Sequence, residues 1–398
     1  MYKNTYNRPK PRRAGVQSFG PNRRQRGKKA DKSIDPARFV KAADPELNSD
    51  YETTHEFADF SMHPLLKANI TAKGYIIPSE IQDKTIALGL AGRDVVGIAN
   101  TGTGKTAAFA LPILNKLMHS PGMSALIVAP TRELAIQIEE QCKLLAKSSG
   151  LSGALLIGGV PISGQMNQLR KQPRIIIGTP GRIKDHLNQR TLTLSNCHMV
   201  VLDEVDRMLD MGFINDVRDI LSNLPTEHQA FFFSATMSPE IRRLIETFAS
   251  DPEVINVKQG ETSQNVNQDV VYFSGKDNKM DVLHDLLISE DVTKALIFGK
   301  TKYGVERLGK MLKTRGFKVD SLHGGKSQGQ RKRALDAFRD NSITILVATD
   351  VAARGIDVKD ISHVINFDQP QSYEDYVHRI GRAGRAGKAG HALTFVEK

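Results

Sequence analysis

The sequence contains no tryptophan, only two cysteines and no long apolar run. No stretch approaches the roughly 18 consecutive apolar residues of a membrane-spanning helix, so we predict no membrane partner. The N-terminus lacks the apolar segment of a secretory signal, and its prolines and glycines disfavour an amphipathic targeting helix, which predicts a cytoplasmic protein. Cys142 and Cys197 lack the spacing of metal ligands and are expected to be small core residues in a reducing compartment.

Acidic residues are nearly absent from the first 32 positions, where Asp31 stands among eleven Lys or Arg. This segment carries a net charge of +10 out of the chain's +11, so the rest of the chain is close to neutral. A segment rich in Pro, Gly, Asn, Arg and Lys buries too little apolar surface to fold, and it attracts polyanions independently of their sequence. We predict a basic, disordered tail over residues 1–50, which is either merely solvated or, beside a phosphate-binding enzyme, a contact for nucleic acid.

Apolar runs alternate with amphipathic stretches in two blocks of this 398-residue chain. Six runs in the first block are typical of buried strands: 95–98, 125–129, 154–157, 174–177, 199–202 and 231–234. The second block has five: 270–273, 295–298, 319–322, 343–348 and 363–366. The pattern predicts an α/β fold with two domains, each a parallel sheet flanked by helices. The domains are expected to span residues 51–257 and 269–398, with a polar linker at 258–268.

A glycine-rich segment, A-N-T-G-T-G-K-T at residues 99–106, lies between the first predicted strand and a stretch with helical spacing. Unpaired N–H groups and the positive dipole end of a helix start attract an anion, and glycines let the backbone approach it closely. Lys105 adds a mobile positive charge, and Thr106 offers a hydroxyl to Mg²⁺. The pattern predicts a nucleoside triphosphate site, although Ala99 replaces the usual first glycine; the alternative is an ordinary glycine-rich turn.

An acidic segment, D-E-V-D at residues 203–206, follows the predicted strand 199–202. Functional groups gather at the carboxyl ends of parallel strands. Hydrolysis of a Mg²⁺-nucleotide needs one carboxylate directed at the metal and another that polarises the attacking water. We predict that Asp203 holds the ion, mainly through water, and that Glu204 is the base. Without the glycine-rich segment, the same acids would equally suit a helix N-terminus.

Seven motifs follow one another in an order that resembles the DEAD-box ATP-dependent RNA helicases, most closely their bacterial branch. Besides the two segments above they are P-T-R-E-L-A (130–135), T-P-G-R (179–182), S-A-T (234–236), V-A-T-D-V-A-A-R-G-I-D (347–357) and H-R-I-G-R-A-G-R (378–385). Upstream, G-Y-I-I-P-S-E-I-Q (74–82) is similar to the family's adenine-recognition motif. The resemblance runs from about residue 57 to the C-terminus and implies two tandem RecA-like domains.

The resemblance also implies an ATP site. Gln82 is similar to the residue that selects adenine, and Phe57 to an aromatic residue that stacks on the base. Arg382 and Arg385 would reach the γ-phosphate from the second domain as arginine fingers. Phosphates, Mg²⁺ and ribose would be held by a set that includes Lys105 and Thr106 together with Thr101, Gly102, Thr103, Gly104 and Asp357.

RNA contacts to phosphates and ribose hydroxyls are implied for eleven positions: Thr131, Arg132, Gly159, Thr179, Arg182, Thr301, His323, Gly324, Arg331, Thr349 and Asp350. Such contacts carry no base information, and a chain with 6% aromatic residues and no tryptophan has no obvious platform for reading bases. Four residues would couple hydrolysis to RNA binding: Asp206, Ser234, Thr236 and His378. We therefore expect sequence-independent binding of single strands or short duplexes.

The predicted function is an RNA-stimulated ATPase, with ATP and Mg²⁺ as cofactors, that opens short RNA duplexes locally or remodels RNA–protein complexes as a monomer. Two alternatives stay open: an RNA-binding or annealing protein with an inactive ATPase, and a duplex-DNA translocase. Val205 replaces the family's alanine, and Ala383 stands where many members have threonine. Since Val205 does no chemistry and both neighbouring arginines of Ala383 are present, we expect activity to survive.

Overall fold

The computed structural model describes Met1 and residues 34–43, 51–100, 102–257, 265–353, 358, 360–384 and 389–398. Apart from Met1, these residues belong to one compact unit, Ile34–Lys398. Residues 2–33 and 44–50 of the predicted tail, and residues 258–264 of the predicted linker, lie outside the described residues.

The first sheet consists of seven parallel strands: β1 (Val95–Ile98), β2 (Ser124–Val128), β3 (Gly153–Leu156), β4 (Ile175–Gly178), β5 (Cys197–Leu202), β6 (Gln229–Ser234) and β7 (Glu253–Asn256). Their spatial order is β3-β4-β2-β5-β6-β1-β7. The accompanying helices are α1 (Pro64–Ala72), α2 (Glu80–Leu90), α3 (Lys105–His119), α4 (Arg132–Leu145), α5 (Ile162–Leu169), α6 (Pro180–Asn188), α7 (Val205–Asp210), α8 (Ile214–Leu221) and α9 (Pro239–Phe248).

The second sheet consists of six parallel strands: β8 (Val266–Phe273), β9 (Ala295–Phe298), β10 (Val319–Leu322), β11 (Ile345–Ala348), β12 (His363–Asn366) and β13 (Gly390–Glu397). Their spatial order is β10-β11-β9-β12-β13-β8. The helices of this part are α10 (Gly275–Leu287), α11 (Lys302–Thr314), α12 (Gln328–Arg339), α13 (Asp350–Ala353) and α14 (Tyr373–Ile380). We refer to the parts of the chain around the first and second sheets as the first and second lobes.

Each sheet is buried on both faces, which explains why its strands are apolar without alternation. In β1, Val95 belongs to the cluster on one face and Val96 to the cluster on the other. In the neighbouring strand β6, Phe231 and Phe233 pack on the same face of the sheet as Val95, and Phe232 packs on the opposite face. Two further clusters cover the second sheet in the same way. The predicted fold class, two parallel sheets flanked by helices, is confirmed.

Two predicted boundaries are wrong. Residues 34–43 were assigned to a disordered tail, but they include a 3₁₀-helix, Pro36–Phe39, whose Phe39 is fully buried in the second lobe. The last residues of the predicted linker are the start of β8, where Val266 and Gln268 are buried. Both differences have one cause. Each segment is polar in composition, but one or two of its apolar residues pack into the core of the second lobe and fix the backbone around them.

A further strand, β7, was not predicted. It pairs with β1 at the edge of the first sheet, and Ile255 is its buried residue. Cys142 and Cys197 are buried in the core with free thiols, as predicted. Within the described ranges, none of the helices combines the length and hydrophobicity needed to cross a bilayer.

Candidate active site

The glycine-rich loop connects the end of β1 to the start of α3. Gly102 and Gly104 have φ angles of 89° and 93°, in the left-handed region that residues with a Cβ rarely adopt. The hydroxyl of Thr103 donates to the carbonyl of Asn100 at 3.0 Å and holds the loop closed. Since the first N–H groups of α3 have no partner within the helix, the loop is suited to bind an anion. Thr101 lies outside the described residues.

Lys105 extends from the first turn of α3 towards the acidic segment that follows β5. Its Nζ atom donates to the carbonyl of Ala99 at 3.0 Å and lies 4.0 Å from Oδ1 of Asp203. Both charged side chains are buried. Burial raises the pKa of Asp203; the positive charge of Lys105 opposes this shift and the carboxylate of Glu204 adds to it. A further cation beside Asp203 would therefore be strongly favourable.

Asp203 and Thr106 fit the way proteins hold Mg²⁺ on a nucleotide. The Oδ1 atom of Asp203 is buried without a hydrogen-bond partner among the described residues. No group of three or more His, Cys, Asp or Glu in those residues is placed to hold a metal ion by itself. Mg²⁺ usually keeps several waters and binds one or two carboxylates together with substrate phosphates. The Oδ1 atom of Asp203, which has no hydrogen bond, and the hydroxyl of Thr106 in the first turn of α3 could supply the protein oxygens of such a site.

Glu204 occupies the turn between β5 and α7, with φ 56° and ψ 54°. A non-glycine residue in this region is costly, and such residues concentrate at functional sites. Its Oε2 atom accepts from Nη1 of the buried Arg207 at 2.8 Å. Burial alone would raise the pKa of Glu204, but the positive charges of Arg207, Lys105 and Arg382 outweigh it and lower that pKa. Glu204 is therefore an ionised carboxylate at neutral pH.

Charged groups at the end of α14 in the second lobe act electrostatically on this carboxylate. Arg382, two residues after that helix, is buried, and its charge contributes to the low pKa of Glu204. His378 lies one turn earlier in the helix. Burial, and then the positive charge of Arg207, lower the pKa of His378, so its neutral form is favoured. The structure thus brings Arg382 and His378 to the acidic segment; Arg385 and Asp357 lie outside the described residues.

Asp206 connects the acidic segment to the S-A-T motif. Its Oδ2 atom accepts from the backbone N–H of Ala235 at 2.9 Å and of Thr236 at 3.2 Å. One residue earlier, the carbonyl of Ser234 accepts from the N–H of Ala99 at 3.0 Å, at the start of the glycine-rich loop. The S-A-T motif is therefore hydrogen-bonded to the acidic segment and to the start of the glycine-rich loop, and its coupling role stays a prediction.

Gln82 lies directly against the glycine-rich loop. Its Oε1 atom accepts from the N–H of Ser79 at 2.9 Å, and its Nε2 atom donates to the carbonyl of Gly104 at 3.2 Å. A primary amide has two donor hydrogens and two acceptor lone pairs. These two bonds leave one N–H donor and one acceptor lone pair of the Gln82 amide unused. Recognition of the edge of adenine needs one donor and one acceptor of this kind.

Phe57 contributes to the core of the first lobe. Its side chain is 4% exposed, and its ring centroid lies 5.4 Å from that of Tyr75 and 6.2 Å from that of Phe60. Its N–H donates to the carbonyl of Ile76 at 3.0 Å, inside the adenine-recognition motif. Stacking on a base requires a more open ring face than this structure has, so that role stays a prediction.

Asp83, which sequence reasoning missed, anchors the chain before this motif. Its carboxylate accepts from the hydroxyl of Tyr51 at 2.7 Å and the N–H of Thr54 at 2.7 Å, and its Oδ1 atom lies 2.6 Å from Nδ1 of His55. Burial opposes ionisation, but these hydrogen bonds outweigh it and lower the pKa of Asp83. The feature of the sequence that could have identified Asp83 is an acidic residue on the apolar face of α2, directly after Gln82.

The predicted RNA contacts of the first lobe lie in the loops after three adjacent strands. The loops after β2, β4 and β3 hold Thr131, Thr179 and Gly159, and the first turns of the helices that follow β2 and β4 hold Arg132 and Arg182. The guanidinium of Arg132 lies over Gly159, whose φ is 79°, and a Cβ there would come within 2.0 Å of Nη1. Nη1 of Arg182 donates to the carbonyl of Val160 at 3.2 Å. The fold therefore gathers these five residues at one edge of the first sheet.

The second lobe repeats this arrangement at the ends of β9, β10 and β11, which are also adjacent. These positions hold Thr301, His323, Gly324, Thr349 and Asp350. The Nε2 atom of His323 lies 3.1 Å from the carboxylate of Glu306. The carboxylate of Asp350 accepts from Nη2 of Arg379 at 2.7 Å.

Arg331 has a different environment from the rest of the predicted set. Its Nη2 atom lies 2.7 Å from Oε2 of Glu133, and the two side chains are 8% and 2% exposed. The pair joins α12 of the second lobe to α4 of the first. Glu133 was not predicted, although it stands next to Arg132 in the P-T-R-E-L-A motif. Arg331 thus holds the lobes together here, and its contact with RNA stays a prediction.

Replacing Gly104 by alanine is expected to weaken ATP binding about tenfold or more. An added Cβ would lie 2.3 Å from Nε2 of Gln82. Alanine in the left-handed backbone conformation of Gly104 would also be strained by about 1–3 kcal/mol. A loss of about 1.4 kcal/mol of binding free energy corresponds to a tenfold loss of affinity. Titration with a fluorescent ATP analogue measures the effect. Gly92→Ala is the matched control, because Gly92 has φ +82° and nothing within 4 Å of its Cβ position. Equal affinities of the two variants would contradict the assignment of the loop.

The fold and the site define a class: a P-loop nucleoside triphosphatase with two RecA-like lobes. Two family models match the chain, "DEAD/DEAH box helicase" over residues 79–244 and "Helicase conserved C-terminal domain" over residues 278–387. The chain belongs to the DEAD-box helicase family.

Curated relatives are similar over most of the chain. The DEAD-box ATP-dependent RNA helicase CshA of Bacillus subtilis is 46% identical over 345 residues, which cover 86% of this chain and 70% of the relative. The ATP-dependent RNA helicase CshA of Listeria monocytogenes is also 46% identical, over 344 residues covering 86% and 66%.

Solved structures share the arrangement of both lobes. S. cerevisiae Dbp5 bound to RNA and ADP BeF3 matches with a TM-score of 0.75 at 30% identity, covering 86% of this chain and 89% of that one. Mss116p bound to single-stranded RNA and AMP-PNP matches with a TM-score of 0.78 at 28% identity, covering 87% and 76%.

Proposed function

We propose that the chain is an ATP-dependent RNA helicase that couples ATP binding and hydrolysis to local, sequence-independent opening of short RNA duplexes or remodelling of RNA–protein complexes. The observation that carries this proposal is the position of Glu204 in the turn after β5, where Arg207 and then Lys105 from the phosphate loop and Arg382 from the other lobe lower its pKa against burial. An active site divided between two lobes makes hydrolysis depend on how the lobes meet.

In the proposed reaction, Lys105 neutralises charge on the ATP phosphates and Glu204 accepts the proton of the attacking water. Arg382 and Arg385 stabilise the charge that develops on the transferred phosphoryl group. Thr106 and Asp203 would hold Mg²⁺, Asp203 mainly through water. The ion would supply further neutralisation of the phosphates. Gln82 would select adenine through its unused donor and acceptor.

RNA is the proposed polymer because the relatives are named RNA helicases and the two similar structures contain RNA. In support, the predicted contacts other than Arg331 lie at the carboxyl edges of both sheets, where hydroxyls, backbone N–H groups and arginines suit phosphates and ribose. Contacts of this kind position a strand without reading its bases. We propose sequence-independent binding for this reason.

The two lobes are proposed to act as a switch. ATP and RNA would each touch both lobes, so that the closed arrangement is favoured only when both are bound, and loss of the γ-phosphate lets the lobes part.

The proposed domains are residues 51–257 and a second domain that begins at the start of β8. We further propose that the protein acts as a monomer in the cytoplasm, and that the basic residues 1–32 add salt-sensitive affinity for RNA.

Comparison of RNA and DNA as activators tests the proposed function. We expect single-stranded RNA to stimulate ATP hydrolysis and DNA of equal length and sequence to fail. RNA is distinguished by its 2′-hydroxyls, which Thr131, Thr179 and Thr301 would contact. Steady-state ATPase assays at fixed salt measure the effect. Equal stimulation by duplex DNA would favour a DNA translocase, and no hydrolysis with either polymer would favour a passive RNA-binding protein.

A further inference from the structure

Residues 34–43, here called the strap, precede the first lobe in sequence but pack on the second. Phe39, in the 3₁₀-helix Pro36–Phe39, is 0% exposed. Its ring centroid lies 4.7 Å from that of Tyr376 in α14. Phe39 belongs to the same buried cluster as Val266 of β8 and Ile380 of α14. The strap is therefore a part of the core of the second lobe.

The backbone of the strap also covers the open edge of the second sheet. The N–H of Lys41 donates to the carbonyl of Gln268 at 3.1 Å, and the N–H of Gln268 donates back at 2.8 Å. This antiparallel bridge lies on β8, the last strand of an otherwise parallel sheet. The N–H of Ala43 donates to Oδ1 of Asn267 at 2.9 Å. A bridged edge has fewer unpaired backbone groups, and its geometry is constrained.

Helix α14 is held between the strap and β8. The guanidinium carbon of Arg38 lies 4.1 Å from the ring centroid of Tyr373, at the start of the helix. The hydroxyl of Tyr376 donates to Oε1 of Gln268, in β8, at 2.9 Å. The same short helix carries His378 and leads directly to Arg382. Contacts of the strap thus fall on the element that brings an arginine to Glu204.

We propose that the strap positions α14, and through it Arg382, for ATP hydrolysis, and that Phe39 is its main positioning residue. This inference rests on the proposed function, since it concerns the arginine of that active site. Catalytic groups lose about 10²-fold in rate when they are misplaced by about 1 Å. Lys105, Thr106 and Gln82, which are proposed to hold ATP and Mg²⁺ in the ground state, lie in the first lobe. Loosening of α14 should therefore lower kcat and leave KM for ATP nearly unchanged.

The test compares full-length variants in steady-state ATPase assays with saturating RNA. Phe39→Ala is expected to lower kcat about 10²-fold with KM for ATP within about threefold of the wild-type value. Phe39→Leu, which keeps an apolar side chain in the cluster, should restore most of the rate. Val40→Ala is the matched control, because Val40 is the next residue and is 57% exposed. It should retain the wild-type kcat. Equal kcat values for Phe39→Ala and Val40→Ala would overturn the proposal, as would a change in KM alone.

Two further variants keep the proposal testable if Phe39→Ala fails to fold. Arg38→Ala removes the contact with Tyr373 without opening the core and should lower kcat severalfold; an unchanged kcat would count against positioning by the strap. Phe39→Trp introduces a single tryptophan into a chain that has none. The fluorescence emission of this tryptophan reports whether the strap is docked, independently of ATPase activity. Blue-shifted emission is expected, and emission typical of exposed tryptophan would refute docking. Absence of RNA-stimulated hydrolysis in the wild-type protein would instead reject the proposed function.

Discussion

Replacing Arg382 by alanine is expected to lower the rate of RNA-stimulated ATP hydrolysis about 10³-fold. Arginine fingers contribute about 10³–10⁵ to the rate of phosphoryl transfer, and the proposed pair leaves Arg385 in place when Arg382 is removed. In this structure the positive charge of Arg382 helps to lower the pKa of Glu204, which supports the proposed role of this arginine. KM for ATP should change little, because Lys105 and the glycine-rich loop belong to the first lobe. Steady-state ATPase kinetics measure both constants.

The matched control for this variant is Arg333→Ala. Arg333 is an exposed arginine in α12 of the same lobe, so its removal makes the same change in charge away from the nucleotide site. The control should retain wild-type kcat. If Arg382→Ala also retains it, the second lobe does not complete the active site and the proposed mechanism is wrong.

Replacing Glu204 by glutamine is expected to lower kcat by about 10²–10⁴-fold, the usual contribution of a general base. Glutamine keeps an oxygen that can accept from Nη1 of Arg207, so the buried arginine retains a partner. Binding of ATP and RNA should survive, and the variant should accumulate as a stable complex with both. Single-turnover hydrolysis and RNA retention in the presence of ATP measure the two effects.

Glu246→Gln serves as the control, because it makes the same chemical change at an exposed position on α9. Thermal unfolding of both variants establishes whether the site remains folded. A Glu204→Gln protein that is folded and still hydrolyses ATP at the wild-type rate with RNA would rule out Glu204 as the base.

The phosphate loop and the acidic segment could be predicted because their signals are local. A strand, glycines at left-handed positions and a helix start occupy one continuous segment around Lys105. Asp203 and Glu204 follow a buried strand directly. In a parallel sheet the carboxyl ends of the strands lie at one edge, so the α/β pattern predicts that both segments face the same side of the sheet.

Other features depend on contacts that local patterns do not encode. Phe39 stands in a polar, proline-containing stretch, and only its partners Tyr376 and Ile380 explain why it is buried. Glu133 is one of many acidic residues on amphipathic helices, and its pairing with Arg331 depends on how α4 and α12 meet. The packing of the Phe57 ring with Tyr75 and Phe60 is likewise not encoded locally, and its stacking on a base stays a prediction.

From the chain of residues alone, one can derive the α/β class, the phosphate loop, the acidic segment and the membership of a helicase family, because each depends on neighbours in sequence or on motifs in a known order. Tertiary structure alone decided that Arg331 pairs with Glu133 and that residues 34–43 pack into the core of the second lobe. These contacts join segments far apart in the chain, and their geometry is set by packing of both sheets and by burial of charge, which no local pattern specifies.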